Sequence, residues 1–123
     1  KNKNPSEFGV IQYKNKKIFK IIEKPKKFIS NDVITGLYVY ENEVIKICEK
    51  LKPSKRGELE ITDLNNELIR KNKLEIMELG RGSVWLDAGS PDDLLGASEF
   101  VKIIENRSGF EIANLHEINK NSY

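Results

Sequence analysis

Apolar and polar positions fall into short blocks whose periods differ along the chain. Phe8-Gly9-Val10-Ile11-Gln12-Tyr13 and Ile18-Phe19-Lys20-Ile21-Ile22-Glu23 are rich in β-branched and aromatic residues and flank the polar break Lys14-Asn15-Lys16-Lys17. They predict a hairpin that leaves through Glu23-Lys24-Pro25, where the proline lacks a ladder donor and favours extended geometry at Lys24. Val33–Tyr40 is mostly apolar and reads as a central strand, with Gly36 marking a bulge or a close approach. Val44, Ile45, Ile47, Cys48 and Leu51 recur at helical spacing, predicting a helix over Glu43–Leu51 with Asn42 as N-cap and Pro53 as stop. A second helix is predicted over Glu58–Asn72, with Leu59, Leu64, Leu68 and Ile69 as its stripe and acids first, bases last. Leu74–Leu79 alternates and reads as a strand, as does Ser83–Asp87 beyond the turn Gly80-Arg81-Gly82. Ser90-Pro91-Asp92-Asp93 then opens a helix with Leu94, Leu95, Ala97, Ser98, Val101 and Ile104 on one side, ending near Gly109. Phe110–Leu115 is a short apolar piece before a polar tail. The order β-β-β-α-α-β-β-α predicts an α/β fold, a mixed sheet covered by helices.

Composition narrows the class. With 123 residues, 38% hydrophobic and 33% charged, the chain has the length of one domain and no apolar run able to span a bilayer or form a signal-peptide core. We read residues 8–118 as a single partial domain, with 1–7 and 119–123 as loop or tail. The single cysteine, Cys48, excludes an internal disulfide, fits a reducing, cytoplasmic setting, and is expected to be buried and inert. Lysines crowd the first quarter, but without interleaved arginines or stacking aromatics they read as a solvated strand face rather than a nucleic-acid footprint.

The candidate chemistry centres on a few polar residues beside apolar strands. Asp87, between an apolar stretch and a glycine turn at a helix start, reads either as a turn residue paired with a nearby backbone NH or as a site carboxylate. Lys24 and Arg56 could hold a phosphate, Glu23 could accept bonds from a sugar hydroxyl, and Trp85 and Tyr38 could line a pocket. His116, the only histidine, lies in the tail and is assigned nothing.

The ordered blocks add what spacing cannot. Phe8-Gly9-Val10, Glu23-Lys24-Pro25, Thr35-Gly36-Leu37-Tyr38, Leu51-Lys52-Pro53-Ser54, Arg56-Gly57-Glu58-Leu59-Glu60-Ile61-Thr62-Asp63, Gly80-Arg81-Gly82 and Trp85-Leu86-Asp87-Ala88-Gly89-Ser90 closely resemble the glucose-1-phosphate thymidylyltransferases, sugar-nucleotide pyrophosphorylases. The resemblance spans roughly Phe8 to Ile118 and matches the C-terminal portion of the family, the sugar-binding half of a Rossmann-like nucleotidyltransferase fold. It implies magnesium-dependent transfer of a thymidylyl group from dTTP to glucose 1-phosphate, giving dTDP-glucose and diphosphate. Glu23 would bind sugar hydroxyls, Lys24 the sugar phosphate, Gly9 would admit the glucose to the backbone, and Ile34 would line the sugar pocket. Tyr38, Arg56 and Trp85 would shape that pocket. Asp87 would be one of two aspartates holding Mg2+, the second lying outside this chain.

Departures from the family are equally informative. No Gly-x-Gly-Thr-Arg-Leu-x-Pro loop is present, so the nucleotide-binding half is absent and the isolated chain is expected to be inactive. Ile22 stands where a second glutamate is common, and Ala88-Gly89-Ser90 replaces Thr-Gly-Thr. The expected partners are glucose 1-phosphate and dTTP or dTDP-glucose in the complete enzyme, with a missing N-terminal half or a homo-oligomer completing the assembly. No nucleic-acid or membrane partner is expected. Two alternatives remain: a non-catalytic assembly module or gene remnant, and a related pyrophosphorylase with another nucleotide or sugar.

Overall fold

The computed structural model describes residues 4–120. A 3-10 turn, Pro5–Glu7, leads into the antiparallel hairpin β1 (Gly9–Lys14) and β2 (Lys17–Glu23), within a residue of its sequence-predicted limits. Asn15 and Lys16 join the strands, both with positive φ (51° and 62°), the handedness that matches strand twist in a two-residue hairpin turn. The helices are α1 (Val44–Cys48), α2 (Ile61–Arg70), α3 (Pro91–Ser108) and α4 (Leu115–Lys120). Two compact units result, one through Glu78 and one from Leu79.

In the first unit β1 is bonded on both edges. On the side away from β2, Val10 forms an antiparallel bridge with Val33, the Ile34 N–H donates to the Gly9 carbonyl (2.9 Å), and the Ile11 N–H donates to the Asp32 carbonyl (2.9 Å). Val10, Ile11 and Ile21 are accordingly buried. A second apolar cluster joins α1 to α2 through Ile47, Leu64 and Leu68, with Tyr40, Val44, Leu51 and Leu74 packed around it.

The predicted mixed sheet is reduced, among the described residues, to this two-stranded antiparallel sheet and its bridge. The alternation predicted for Leu74–Leu79 is kept, with Leu74 and Ile76 half-buried and Met77 92% exposed, but Val33–Tyr40 is not the central strand expected: Tyr38 and Tyr40 are half-buried while Leu37 and Val39 are 86% and 95% exposed. A strand, however, is defined by a paired neighbouring strand, and among the described residues the only pairing assigned to these segments is the Val10–Val33 bridge. Ser83–Asp87 is likewise irregular, so Asp87 does not end a strand.

Other differences have local causes. α1 is shorter than predicted and Asn42 does not cap it with its side chain. Cys48 is exposed, because Ile47 takes the inward position and the next helical residue turns away. α2 starts late because Ser54–Glu58 closes a turn of its own, leaving Leu59 exposed. It ends before Asn72, whose φ of 55° places it at C′ of a Schellman motif. The Lys73 N–H donates to Leu68 O (2.9 Å) and the Asn72 N–H to Ile69 O (3.0 Å). Lys24 is not extended: its φ is 40°, held by its N–H donating to Phe8 O (3.1 Å).

In the second unit the sequence signals hold closely. Ser90 caps α3 by accepting from the Asp93 N–H (3.1 Å), Pro91 begins it, and Gly109 closes it at φ 73°. Its apolar side is uncovered, with Leu94 and Leu95 exposed and no α3 residue buried. The polar tail forms α4 over Leu115–Lys120, nucleated by Asn114 Oδ1 accepting from the His116 and Glu117 N–H groups (2.9 and 3.2 Å). Among the described residues no helix is long and apolar enough to cross a membrane.

Candidate functional site

The open end of the hairpin gathers four of the sequence-predicted residues. Gly9 and Glu23 face each other across the last β1–β2 pair, and Ile34 lies on the far side of Gly9 through the backbone bond to its carbonyl. The fit is close. A Cβ on Gly9 would stand 2.7 and 2.8 Å from Cδ1 and Cγ1 of Ile34 and 3.3 Å from Oε2 of Glu23. Lys24 follows directly, exposed, on a backbone turned by its positive φ.

Tyr38 approaches the same corner. Tyr38 stacks on Tyr40, with ring centroids 5.7 Å apart, and Tyr40 Oη donates to Asn65 Oδ1 (2.7 Å). Burial, then the nearby Glu23 charge, raises the Tyr38 pKa, keeping a protonated phenol available as a donor. Burial likewise pushes Tyr40 up to about 12. Tyr13, at the other end of the hairpin, is also pushed up to about 12, by burial and then by its bond to Asp32 (3.0 Å), which ionisation would destroy.

These shifts fix a pH dependence. A tyrosine whose folded pKa exceeds its unfolded value near 10 stabilises the fold fully below pH 10 and ceases to do so as pH rises through 12. Tyr13 and Tyr40 are therefore expected to ionise near pH 12 in the native protein and near pH 10 in urea, read from phenolate absorbance. Coincident native and urea titrations would contradict both environments.

α2 supplies what sequence reasoning missed. Thr62 is 2% exposed and its Oγ1 donates to Glu23 Oε2, while Asn66, 7% exposed, brackets the β2 backbone. Its Nδ2 donates to Ile21 O and its Oδ1 accepts from the Ile21 N–H, both at 2.8 Å. Thr62, Asn65 and Asn66 are buried polar residues inside an otherwise leucine-lined helix, and each has a partner.

Other predicted site residues are placed differently. Arg56 is folded back onto its own loop, paired with Glu58 (2.9 Å) and Glu60 (3.5 Å), and among the described residues no ion pair joins it to Glu23. Asp87 and the half-buried Trp85 belong to the second unit. Asp87 is exposed, and its Oδ1 accepts from the Ala88 N–H (3.0 Å), the local turn contact that its neighbours predict. No group of three or more potential metal ligands occurs among the described residues.

The model of the Nucleotidyl transferase family matches residues 1–103. The chain belongs to that family. It is 43% identical over 117 residues to the glucose-1-phosphate thymidylyltransferase of Neisseria meningitidis serogroup A, covering 94% of this chain and 41% of that protein. The enzyme of the same name from Mycolicibacterium smegmatis is 43% identical over 116 residues, covering 94% and 40%. Among solved structures, a Bacillus anthracis protein assigned as a glucose-1-phosphate thymidylyltransferase, in complex with sucrose, superposes with a TM-score of 0.68. It shares 41% identity, over 79% of this chain and 39% of that one. The chain thus spans about 40% of the length of these relatives and shares an α/β fold with the solved one.

Proposed function

We propose that this chain is the C-terminal portion of a glucose-1-phosphate thymidylyltransferase and supplies its sugar-phosphate site and one magnesium ligand. The observation that carries the reading is the Gly9–Glu23–Ile34 corner. A residue without Cβ, a carboxylate and an apolar side chain meet there, with Lys24 beside them. A pyranose suits that set: its hydroxyls bond a carboxylate, its C–H face rests on Ile34, and its ring can approach the Gly9 backbone. Lys24 then neutralises the phosphate carried on the anomeric carbon.

In the proposed reaction an oxygen of glucose 1-phosphate attacks the α-phosphorus of dTTP in line. The new P–O bond forms as the α–β bridge breaks, and diphosphate leaves with the bonding electrons. No protein nucleophile is needed. Glu23 and Tyr38 orient the sugar, and Lys24 lowers repulsion between two anions. Magnesium, when bound, would neutralise the reacting phosphates, and exposed Asp87 suits one carboxylate ligand rather than a complete cage. The nucleotide and the second aspartate are assigned to an N-terminal half, for which the uncovered apolar sides of Val33–Tyr40 and α3 provide contact area.

Titration of the chain with glucose 1-phosphate, followed by NMR shifts, tests the site. Binding is expected to be lost in Glu23→Ala and weakened about tenfold in Lys24→Ala, a charge-assisted contact being involved. Wild-type shifts unchanged by the ligand would refute the sugar site. Turnover tests the rest. The chain alone is expected to make no dTDP-glucose from dTTP, glucose 1-phosphate and Mg2+, and to do so when paired with a relative's nucleotide-binding half. In that pair Asp87→Ala should cut turnover at least a hundredfold without shifting the chain's melting temperature, as for a lost metal contact. Equal rates would remove Asp87 from the metal site. The exposed apolar surfaces also favour a second reading, a non-catalytic assembly module, and continued inactivity of the pair would select it.

A further inference from the structure

Thr62 is fixed relative to Glu23 by a match of two repeats. Thr62 and Asn66 are four residues apart on α2 and point the same way, about 6 Å along its axis. Glu23 and Ile21 are two residues apart on β2 and also share a side, about 6.6 Å along the strand. The two intervals coincide, and both rungs are made: Thr62 to Glu23, and Asn66 to both polar atoms of the Ile21 backbone. The Asn66 rung uses main-chain atoms and so fixes the height of α2 on β2. Thr62 has no rotational escape, since it is 2% exposed and its only described hydrogen-bond partner is the carboxylate.

We propose that Thr62 is a positioning residue for the sugar site, holding Oε2 of Glu23 inward so that Oε1 is presented to a ligand hydroxyl. A glutamate at a strand end otherwise samples several rotamers, and selecting one before the ligand arrives removes that ordering cost from binding. Oε2 is the oxygen that also lies against Gly9, at 3.3 Å from where a Cβ would be, whereas Oε1 accepts no hydrogen bond from the described residues. A carboxylate with one oxygen committed and one open is a directional acceptor rather than a diffuse charge. The ligand class remains that of the proposed sugar site, a hexose 1-phosphate, and the inference rests on that reading.

Glucose 1-phosphate titrations of wild type, Thr62→Val, Thr62→Ser and Glu23→Gln, together with the Thr62→Val/Glu23→Gln double variant, test it. Valine keeps the shape and removes the hydroxyl, so binding is expected to weaken about tenfold, the scale of a bond to a charged acceptor. Serine keeps the hydroxyl and should bind within about threefold of wild type on the same scale. In the Glu23→Gln background, Thr62→Val should add little, because its effect passes through that carboxylate; a merely structural loosening would add its full cost. Undiminished binding by Thr62→Val, a Thr62→Ser as weak as Thr62→Val, or an equal loss in both backgrounds would overturn the positioning role and leave the sugar site standing. Should Thr62→Val fail to fold, Thr62→Ser decides: near-native binding supports the role, and a tenfold loss overturns it. Wild type that ignores glucose 1-phosphate would instead overturn the sugar reading, and this inference with it.

Discussion

Gly9→Val is expected to abolish glucose 1-phosphate binding while leaving most of the fold in place. Even alanine would place its Cβ 2.7 Å from Ile34 Cδ1, closer than carbon atoms approach, so Ile34 must turn away. Valine adds branches toward Glu23 Oε2 and fills the corner where the sugar is proposed to sit. Overpacking of this kind costs about 1–3 kcal/mol, enough to lower the melting temperature without unfolding the chain. Gly9→Ala should lie between wild type and Gly9→Val in affinity. The two variants, titrated by NMR and melted by circular dichroism, separate the effects. Native-like binding by Gly9→Val would show that the corner is not where the ligand lies.

The largest expected loss of stability comes from Asn66→Ala. The substitution strips partners from the N–H and the carbonyl of Ile21, itself 1% exposed, and nothing in the alanine replaces them. Two orphaned buried groups cost roughly 2–4 kcal/mol together, or about 10 °C in melting temperature for a chain this size. A melt within about 2 °C of wild type would mean that water reaches Ile21 as readily as Asn66 does.

Legibility in the sequence followed the range of the interactions. α3 was readable because its signals are local: a serine cap, a proline at the first position, a glycine at the last. The hairpin was readable because two β-branched runs flank a short polar break. Leu74–Leu79 carries an alternation the structure honours and Val33–Tyr40 an apolar run it leaves half open, yet neither pattern says whether a neighbouring strand exists. Cys48 and Leu59 were assigned to apolar stripes that turned out to be wider than the surface available to bury them. Gly9 and Ile34 are named through family resemblance and Glu23 also as a hydroxyl acceptor at a strand end, and the structure brings them into one corner, whereas Arg56 engages its own loop. Thr62 and Asn66 left a signal that went unused. Threonine and asparagine are indifferent helix formers, and finding them amid a leucine stripe asks for partners outside the helix.

The Asn66 bracket around Ile21 also separates two events in the life of the fold. The β2 amides that face β1 are held by the hairpin ladder, but the Ile21 N–H is held by a side chain of α2. Its hydrogen exchange therefore tracks the lifting of α2 from the strand, even while the hairpin stays closed. One amide thus serves as a built-in clock for helix undocking. Because Thr62 rides on the same helix, that clock also measures how often the Glu23 carboxylate is released.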